Sequence, residues 1–177
     1  MYVKMPKQIS LDICDKILDI GKMKKLEKAL VGGDTPEESV LIEKTRDSKI
    51  AWITEPWILA VMYFHANLVN REGQWNYRLD STPENAQFTT YTDGGHYDFH
   101  VDTLDPKHPR KISVILMLSE KGVDYKGGDF EIKDDGLVEL SKGDMLVFPS
   151  DLLHRVNPVT EGKRTSLITW VRGPEWR

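Results

Sequence analysis

Cysteine is almost absent from this chain. Cys14 stands alone among 177 residues, so no internal disulfide can form and nothing demands an oxidising compartment. Long apolar runs are missing too: the longest, Trp57 to Phe64, is far too short to cross a bilayer. The start, Met1-Tyr2-Val3-Lys4-Met5-Pro6, has no apolar signal core. A cytoplasmic protein with no membrane partner is the expectation. There is no excess of positive charge. Net charge is -4, which makes a dedicated nucleic-acid binder, with its basic face, a poor fit. Internal repeats and low-complexity tracts are absent. What is present is ordinary for a folded protein, 40% hydrophobic and 29% charged, and long enough to bury a sizeable core.

The N-terminal half reads as a support. Ser10 is a good N-cap for a helix from Leu11 to about Ile20, with Ile13, Ile17 and Ile20 on one stripe, Cys14 beside it and Gly21 as the stop. Lys22 to Lys25 reads as a solvated face, Ala29–Val31 as a short strand and Gly32 to Pro36 as a loop. Thr54-Glu55-Pro56 opens a second helix running to about Val69. Trp57, Val61, Phe64 and Leu68 form one stripe with Ile58, Met62 and Val69 beside it, a wide apolar face expected to lie against a sheet, with His65 as a packed or surface histidine at its edge and not a ligand.

From Asn85 the pattern becomes short extended segments between turns. They are Ala86–Tyr91, Tyr97–Asp102, Ile112–Ser119, Asp129–Ile132, Leu137–Leu140, Met145–Pro149, Leu153–Asn157 and Arg164–Arg172. Eight short strands after helices predict a mainly β fold, a jelly roll or double-stranded β-helix, with N-terminal helices packed on one sheet. The expectation is a single domain, with residues 1–84 as helical support and 85–177 as the core.

One stretch carries chemistry. In Tyr91-Thr92-Asp93-Gly94-Gly95-His96-Tyr97-Asp98-Phe99-His100-Val101-Asp102, an extended His100-Val101-Asp102 would aim an imidazole and a carboxylate at one point. His154 is the candidate third ligand. Its competing reading is a buried histidine bonded to a carbonyl. Two His and one carboxylate form the facial triad of non-haem Fe(II) oxygenases, with open positions for chemistry. Arg164 follows ten residues after His154. Asn157 to Gly162 can reverse the chain, placing Arg164 on the partner strand of a hairpin. Positions 164, 166, 168 and 170 would share a face, and an inward arginine there needs an anion.

Taken together, Tyr91-x-x-Gly94-x-x-Tyr97-x-x-His100-x-Asp102, Arg110-x-x-Ser113, Gly127-Gly128-Asp129-Phe130, Lys142-Gly143-Asp144 through Phe148, and His154-x-Val156-x-Pro158-Val159-x-x-Gly162-x-Arg164 through Trp170 resemble the prolyl 4-hydroxylase group of 2-oxoglutarate- and Fe(II)-dependent dioxygenases. The resemblance covers roughly Asn85 to Trp170, and Arg46 to Ile53 shares it. It implies His100, Asp102 and His154 as iron ligands, Arg164 on the distal carboxylate of 2-oxoglutarate, and Tyr91 assisting. It implies Tyr97, Arg110 and Trp170 near a substrate proline. The implied cofactors are Fe(II), 2-oxoglutarate as co-substrate and O2, with ascorbate as an optional addition. The implied partner is a peptide or protein containing proline, hydroxylated in the manner of procollagen-type or peptidyl-proline 4-hydroxylases. The presence of Asp102 separates the chain from related halogenases, which lack that carboxylate.

Two departures stand out. Where many relatives carry a second tyrosine at the co-substrate, this chain has Met117. Tyr97 is also an odd number of residues from His100, so it needs a bend, expected at Gly94-Gly95, to reach the site. His96 has the parity to face the site mouth, His108 reads as an exposed loop residue, and the segment from Asp102 to Arg110 is a candidate lid. The rival readings are the same chemistry on a free amino acid or small molecule, nucleic-acid demethylation, and a non-catalytic metal- or ligand-binding jelly roll.

Overall fold

The computed structural model describes residues 1–31, 44–73, 75–103 and 105–175. Along them run β1 (Val3–Met5), α1 (Leu11–Lys22), β2 (Glu27–Lys28), β3 (Arg46–Asp47), β4 (Lys49–Ile53), α2 (Pro56–Glu72), β5 (Ala86–Tyr91), β6 (His96–His100) and β7 (Arg110–Met117). There follow β8 (Tyr125–Gly127), β9 (Phe130–Ile132), β10 (Gly136–Val138), β11 (Met145–Pro149), β12 (His154–Val156), β13 (Val159–Gly162) and β14 (Arg164–Arg172). A major sheet is ordered β1-β11-β7-β14-β5-β4-β2, a minor sheet β10-β9-β12-β6-β3, and β13 pairs with β8. Neighbouring strands are antiparallel throughout. The jelly roll with helices on one sheet is as expected, except that the N-terminal region contributes β1 to β4 as well as helices.

The major sheet is covered on both faces, and alternation along its strands explains how. On β14, Leu167 and Val171 point to one side, while Arg164, Ser166, Ile168, Trp170 and Arg172 point to the other and line a cavity. On the first side, Phe88, Val114, Leu116 and Val147 share a core with Cys14 and Ile17 of α1 and Ile58, Met62 and Val69 of α2. On the second, Ile115, Met117 and Phe148 pack with Phe130 and Val156 of the minor sheet. The helices thus clamp the outer face, and the inner face is left to close a cavity. Each apolar side chain taken fully into either core contributes roughly 1.5–3 kcal/mol.

Several local expectations change. Gly21 does not stop α1. It is buried within it, where any Cβ would collide with the Phe88 ring, so its smallness lets helix meet sheet. Ser10 holds the N-cap position of α1 without a side-chain capping bond. At α2 it is Glu55, not Thr54, that holds this position, and the Glu55 carboxylate accepts the Thr54 N–H at 3.0 Å. The strand expected at Ala29–Val31 is displaced to Glu27–Lys28. The loop read at Gly32 to Pro36 lies outside the described residues. β5, β11 and β14 have their predicted bounds. The unpredicted strands are two to five residues long, too short for periodicity to reveal.

The inward face of α2 is one side of the wide apolar face expected. Ile58, Met62, His65, Ala66 and Val69 are buried, whereas Trp57 and Phe64 of the predicted stripe are 42% and 60% exposed. The two stripes lie about 100° apart around a helix that is apolar on both. Ala66 lets the helix approach the sheet, and the bulky aromatics of the other stripe would hold it off. His65 packs as expected, with Nδ1 2.7 Å from the Val61 carbonyl. Among the described residues no helix is long and apolar enough to cross a membrane.

The two stripes are distinguishable by stability. Met62→Ala is expected to cost about 2–5 kcal/mol in urea unfolding, and Phe64→Ala no more than about 0.5 kcal/mol. The reverse order would return the predicted stripe to the core.

Candidate active site

The three suspected ligands do converge. His100 ends β6 and His154 begins β12, and the two are cross-strand partners in the minor sheet. Asp102 lies two residues beyond β6, not within a strand as predicted. Its position comes instead from hydrogen bonds: the N–H groups of Asp102 and Thr103 donate to the Ser150 carbonyl at 2.8 and 3.0 Å. The Ser113 hydroxyl donates to Asp102 Oδ2 at 2.7 Å and lies 2.9 Å from Ser150 Oγ. Asp102 Oδ1 is 3.5 Å from His100 Nε2, and Oδ2 is 3.7 Å from His154 Nε2. One ligand atom from each residue falls within 4.8 Å of the others.

The donor set suits a metal ion, and the second contacts of the imidazoles show why. His100 Nδ1 is 2.8 Å from the Asp98 carbonyl and His154 Nδ1 is 2.8 Å from the Leu152 carbonyl. A carbonyl only accepts, so each Nδ1 carries the proton and each Nε2 offers a lone pair toward Asp102. Burial pushes the His154 pKa down, against the opposing pull of Asp102, which keeps the ring neutral and ready to ligate. Burial would raise the Asp102 carboxyl, yet positive charge on the facing His154 and His100 side holds it below the usual carboxylate range. A cation shared with the two Nε2 atoms would supply that charge in place of protons.

Tyr97 reaches the site by a route the parity argument missed. Its ring stacks on His100, with centroids 3.5 Å apart. The expected bend at Gly94-Gly95 is not the cause. His154 pairs with His100, but Val156 pairs with Tyr97, so β6 carries one extra residue between them. That bulge turns Tyr97 and His100 to the same side. It also turns His96 away from the mouth: its nitrogens sit 3.0 Å from the Gly94 carbonyl and 3.1 Å from the Lys44 carbonyl. Burial pushes the Tyr97 phenol up to about 12, so it remains protonated and able to donate.

Arg164 is not on a hairpin with the His154 strand. β14 lies in the major sheet, with Arg164 opposite Tyr91 on β5, and so faces the triad from the other layer. The guanidinium is 2% exposed and has no carboxylate partner among the described residues. Nη1 reaches Ser166 Oγ and Nη2 reaches Met117 Sδ, both at 3.4 Å, while Nε has no hydrogen-bond partner. Leaving a buried cation this poorly paired costs several kcal/mol. A dicarboxylate entering the cavity would satisfy it, so the residues present fit 2-oxoglutarate. Tyr91, buried and lining the same cavity, lies with its ring 5.6 Å from the guanidinium carbon.

The cavity, about 740 Å³, runs from Arg164 past the triad to Trp170, Arg110 and Trp52. Arg110 lies over the Trp170 ring at 3.8 Å. It donates to Glu84 through Nε at 2.8 Å and Nη2 at 2.6 Å, and Arg172 Nε donates to the same carboxylate at 2.8 Å. The Trp170 indole N–H is buried beside the Asp102 carboxylate and helps to hold it ionised. Arg46 stacks on Tyr97 at 4.5 Å and also lines the cavity. Glu84 was read only as part of a polar loop. No local signal could have found it, because its partners lie 26 and 88 residues away in sequence. His108 is exposed and bonded to Asp80 at 2.8 Å. Its carbonyl accepts from Arg172 Nη1 at 2.8 Å, and the Pro109 carbonyl accepts from the Gly173 N–H at 3.2 Å. These anchors argue against a hinged lid there.

Comparisons with known proteins fit this geometry. Residues 86–172 match the profile of the 2OG-Fe(II) oxygenase superfamily. A PKHD-type hydroxylase of Pseudomonas fluorescens is 42% identical over 92 residues, 46% of this chain and 40% of that protein. A PKHD-type hydroxylase of a Psychrobacter species is 38% identical over 95 residues, 48% of this chain and 36% of that protein. The chain spans well under half the length of these curated relatives. Among solved structures, a Pseudomonas putida prolyl-4-hydroxylase has a TM-score of 0.77 at 23% identity, covering 97% of this chain and 91% of that one. At this identity the likeness speaks for the fold.

Metal binding tests the triad directly. Calorimetry with Mn(II) under anaerobic conditions should give one tight site, weakened more than about a hundredfold in Asp102→Ala or His154→Ala, beyond the cost of losing an outer-shell contact. Unchanged affinity in either variant would remove that residue from the ligand set.

Proposed function

We propose that the chain, whose residues 86–172 match the 2OG-Fe(II) oxygenase superfamily, hydroxylates an unactivated carbon with Fe(II), 2-oxoglutarate and O2. The proposed substrate is a prolyl residue in a peptide or protein, and the coupled product is succinate. One observation carries this reading. The buried guanidinium of Arg164, without a carboxylate of its own, looks into the same cavity as an intact His-Asp-His set. A jelly roll that merely held a metal would not need both.

In this reading His100 and His154 ligate through Nε2 and Asp102 through its carboxylate, kept in place by Ser113. Bound Fe(II) supplies the oxidative chemistry that couples decarboxylation of 2-oxoglutarate to hydroxylation. Arg164 anchors the distal carboxylate and Tyr91 assists, which fixes the co-substrate relative to the triad.

At the mouth, Tyr97, Arg110 and Trp170 surround the space where substrate enters. Glu84 balances one of the two positive charges of Arg110 and Arg172, leaving donors suited to peptide carbonyls. The Pseudomonas putida neighbour named as a prolyl-4-hydroxylase supports a prolyl substrate. So does a viral collagen prolyl hydroxylase from Paramecium Bursaria Chlorella virus-1, with a TM-score of 0.76 at 20% identity, covering 97% of this chain and 96% of that one. The absence of a positive charge excess makes nucleic acid a weaker substrate. Ascorbate as an addition to the cofactor set and a cytoplasmic location belong to the same reading.

Succinate release with proline-containing peptides, alongside mass analysis for one added oxygen, tests the proposal. Asp102→Ala and His154→Ala should abolish both signals. Arg164→Ala should raise the 2-oxoglutarate requirement about tenfold to a hundredfold, as loss of a hydrogen-bonded charge contact does. Oxidation of free proline in preference to every peptide would overturn the peptide assignment. Absence of succinate from the wild type with all substrates would favour a binding module.

A further inference from the structure

Met117 occupies the position where the resemblance leads one to expect a second tyrosine beside the co-substrate. The structure brings a different tyrosine to the same guanidinium from another strand. Tyr125 opens β8 and is 4% exposed. Burial pushes its phenol up, while the nearby charge of Arg164 acts the other way. The contact is built into the backbone. Tyr125 is the cross-strand partner of Gly162 on β13, and the Lys163 N–H donates to the Asp124 carbonyl at 3.0 Å. The residue before Tyr125 is thereby tied to the residue before Arg164.

Gly128 completes the arrangement. At φ +61 it adopts a left-handed conformation, and a Cβ there would stand 3.0 Å from Arg164 Cδ and 3.2 Å from Tyr125 Cε2. Only a residue without a side chain leaves room for the arginine stem and the phenol ring to meet. Tyr125 is absent from the lining of the cavity, so it reaches the co-substrate end through Arg164. The Arg164 side chain then lies among the Tyr125 ring, Ser166 Oγ and Met117 Sδ. The Ser166 bond is long and sulfur is a weak acceptor.

We propose that Tyr125 is a positioning residue for 2-oxoglutarate, holding the Arg164 guanidinium in the orientation that receives the distal carboxylate in place of the tyrosine that Met117 replaces. The proposal rests on the function argued above. With Tyr125 in place the fork is presented in one orientation, and less freedom is lost when the dicarboxylate binds.

Anaerobic titration of 2-oxoglutarate into the Mn(II)-loaded full chain, followed by calorimetry, tests this without turnover. Tyr125→Phe keeps the ring and removes the hydroxyl. It should weaken 2-oxoglutarate binding roughly three- to tenfold, the worth of one ordinary hydrogen bond, with Mn(II) affinity unchanged. In an Arg164→Lys background, where the fork is gone, the same change should have an effect below about twofold, because the two residues act as a unit. Equal binding by wild type and Tyr125→Phe would overturn the positioning role while leaving the function standing. Equal losses in both backgrounds would likewise overturn action through Arg164. A wild type that binds Mn(II) but not 2-oxoglutarate would overturn the function and this inference together.

Discussion

A guanidinium buried without a carboxylate is the constraint on which the site depends. Arg164 is 2% exposed, and a charge so placed is tolerated only when the fold holds it firmly and a ligand later completes it. The fold meets the first condition by setting Arg164 at the start of β14, between β5 and β7 of a sheet covered on both sides. The arginine cannot swing out to water without breaking a strand that pairs along its length. The second condition is what turns an energetic burden into recognition: the binding of an anion recovers much of what folding left unsatisfied.

The two sheets divide the work. The minor sheet supplies His100 and His154 as cross-strand partners, so their spacing is set by strand pairing rather than by side-chain reach. The major sheet supplies Arg164, and Ser113 on β7 steadies Asp102 from the same layer. Asp102 therefore joins the layers, since its backbone follows β6 while its carboxylate is held from β7. Any movement of one sheet against the other would disturb triad geometry and the distance from the triad to Arg164 together. The helices on the outer face oppose such movement, as Phe88, Leu116 and Leu167 are packed into a common core with α1 and α2.

What the chain disclosed in advance follows from how locally each feature is encoded. The convergence of His100, Asp102 and His154, the inward Arg164 and three strands with their bounds were legible because residue type and turn spacing are local properties. The bulge in β6 was not, since it exists only in the register against β12, and parity counted along one strand cannot detect it. Which part of the wide apolar face of α2 meets the sheet was illegible for a related reason. Both of its stripes are apolar, and the choice depends on how closely Ala66 lets the helix approach. Glu84 and Tyr125 matter through partners far away in sequence, Arg110 and Arg172 for one and Arg164 for the other. Only the folded chain brings them together.

The two ends of the cavity differ in a way that bears on substrate choice. At the inner end one cation waits without a counter-charge, which selects an anion. At the mouth Arg110 and Arg172 share Glu84, and Arg46 and Arg110 lie on aromatic rings. Stacked guanidinium groups retain N–H donors in a fixed plane. An extended peptide would present carbonyl oxygens to such donors. The inner cation thus suits an anion, whereas at the mouth Glu84 already occupies part of two guanidinium forks.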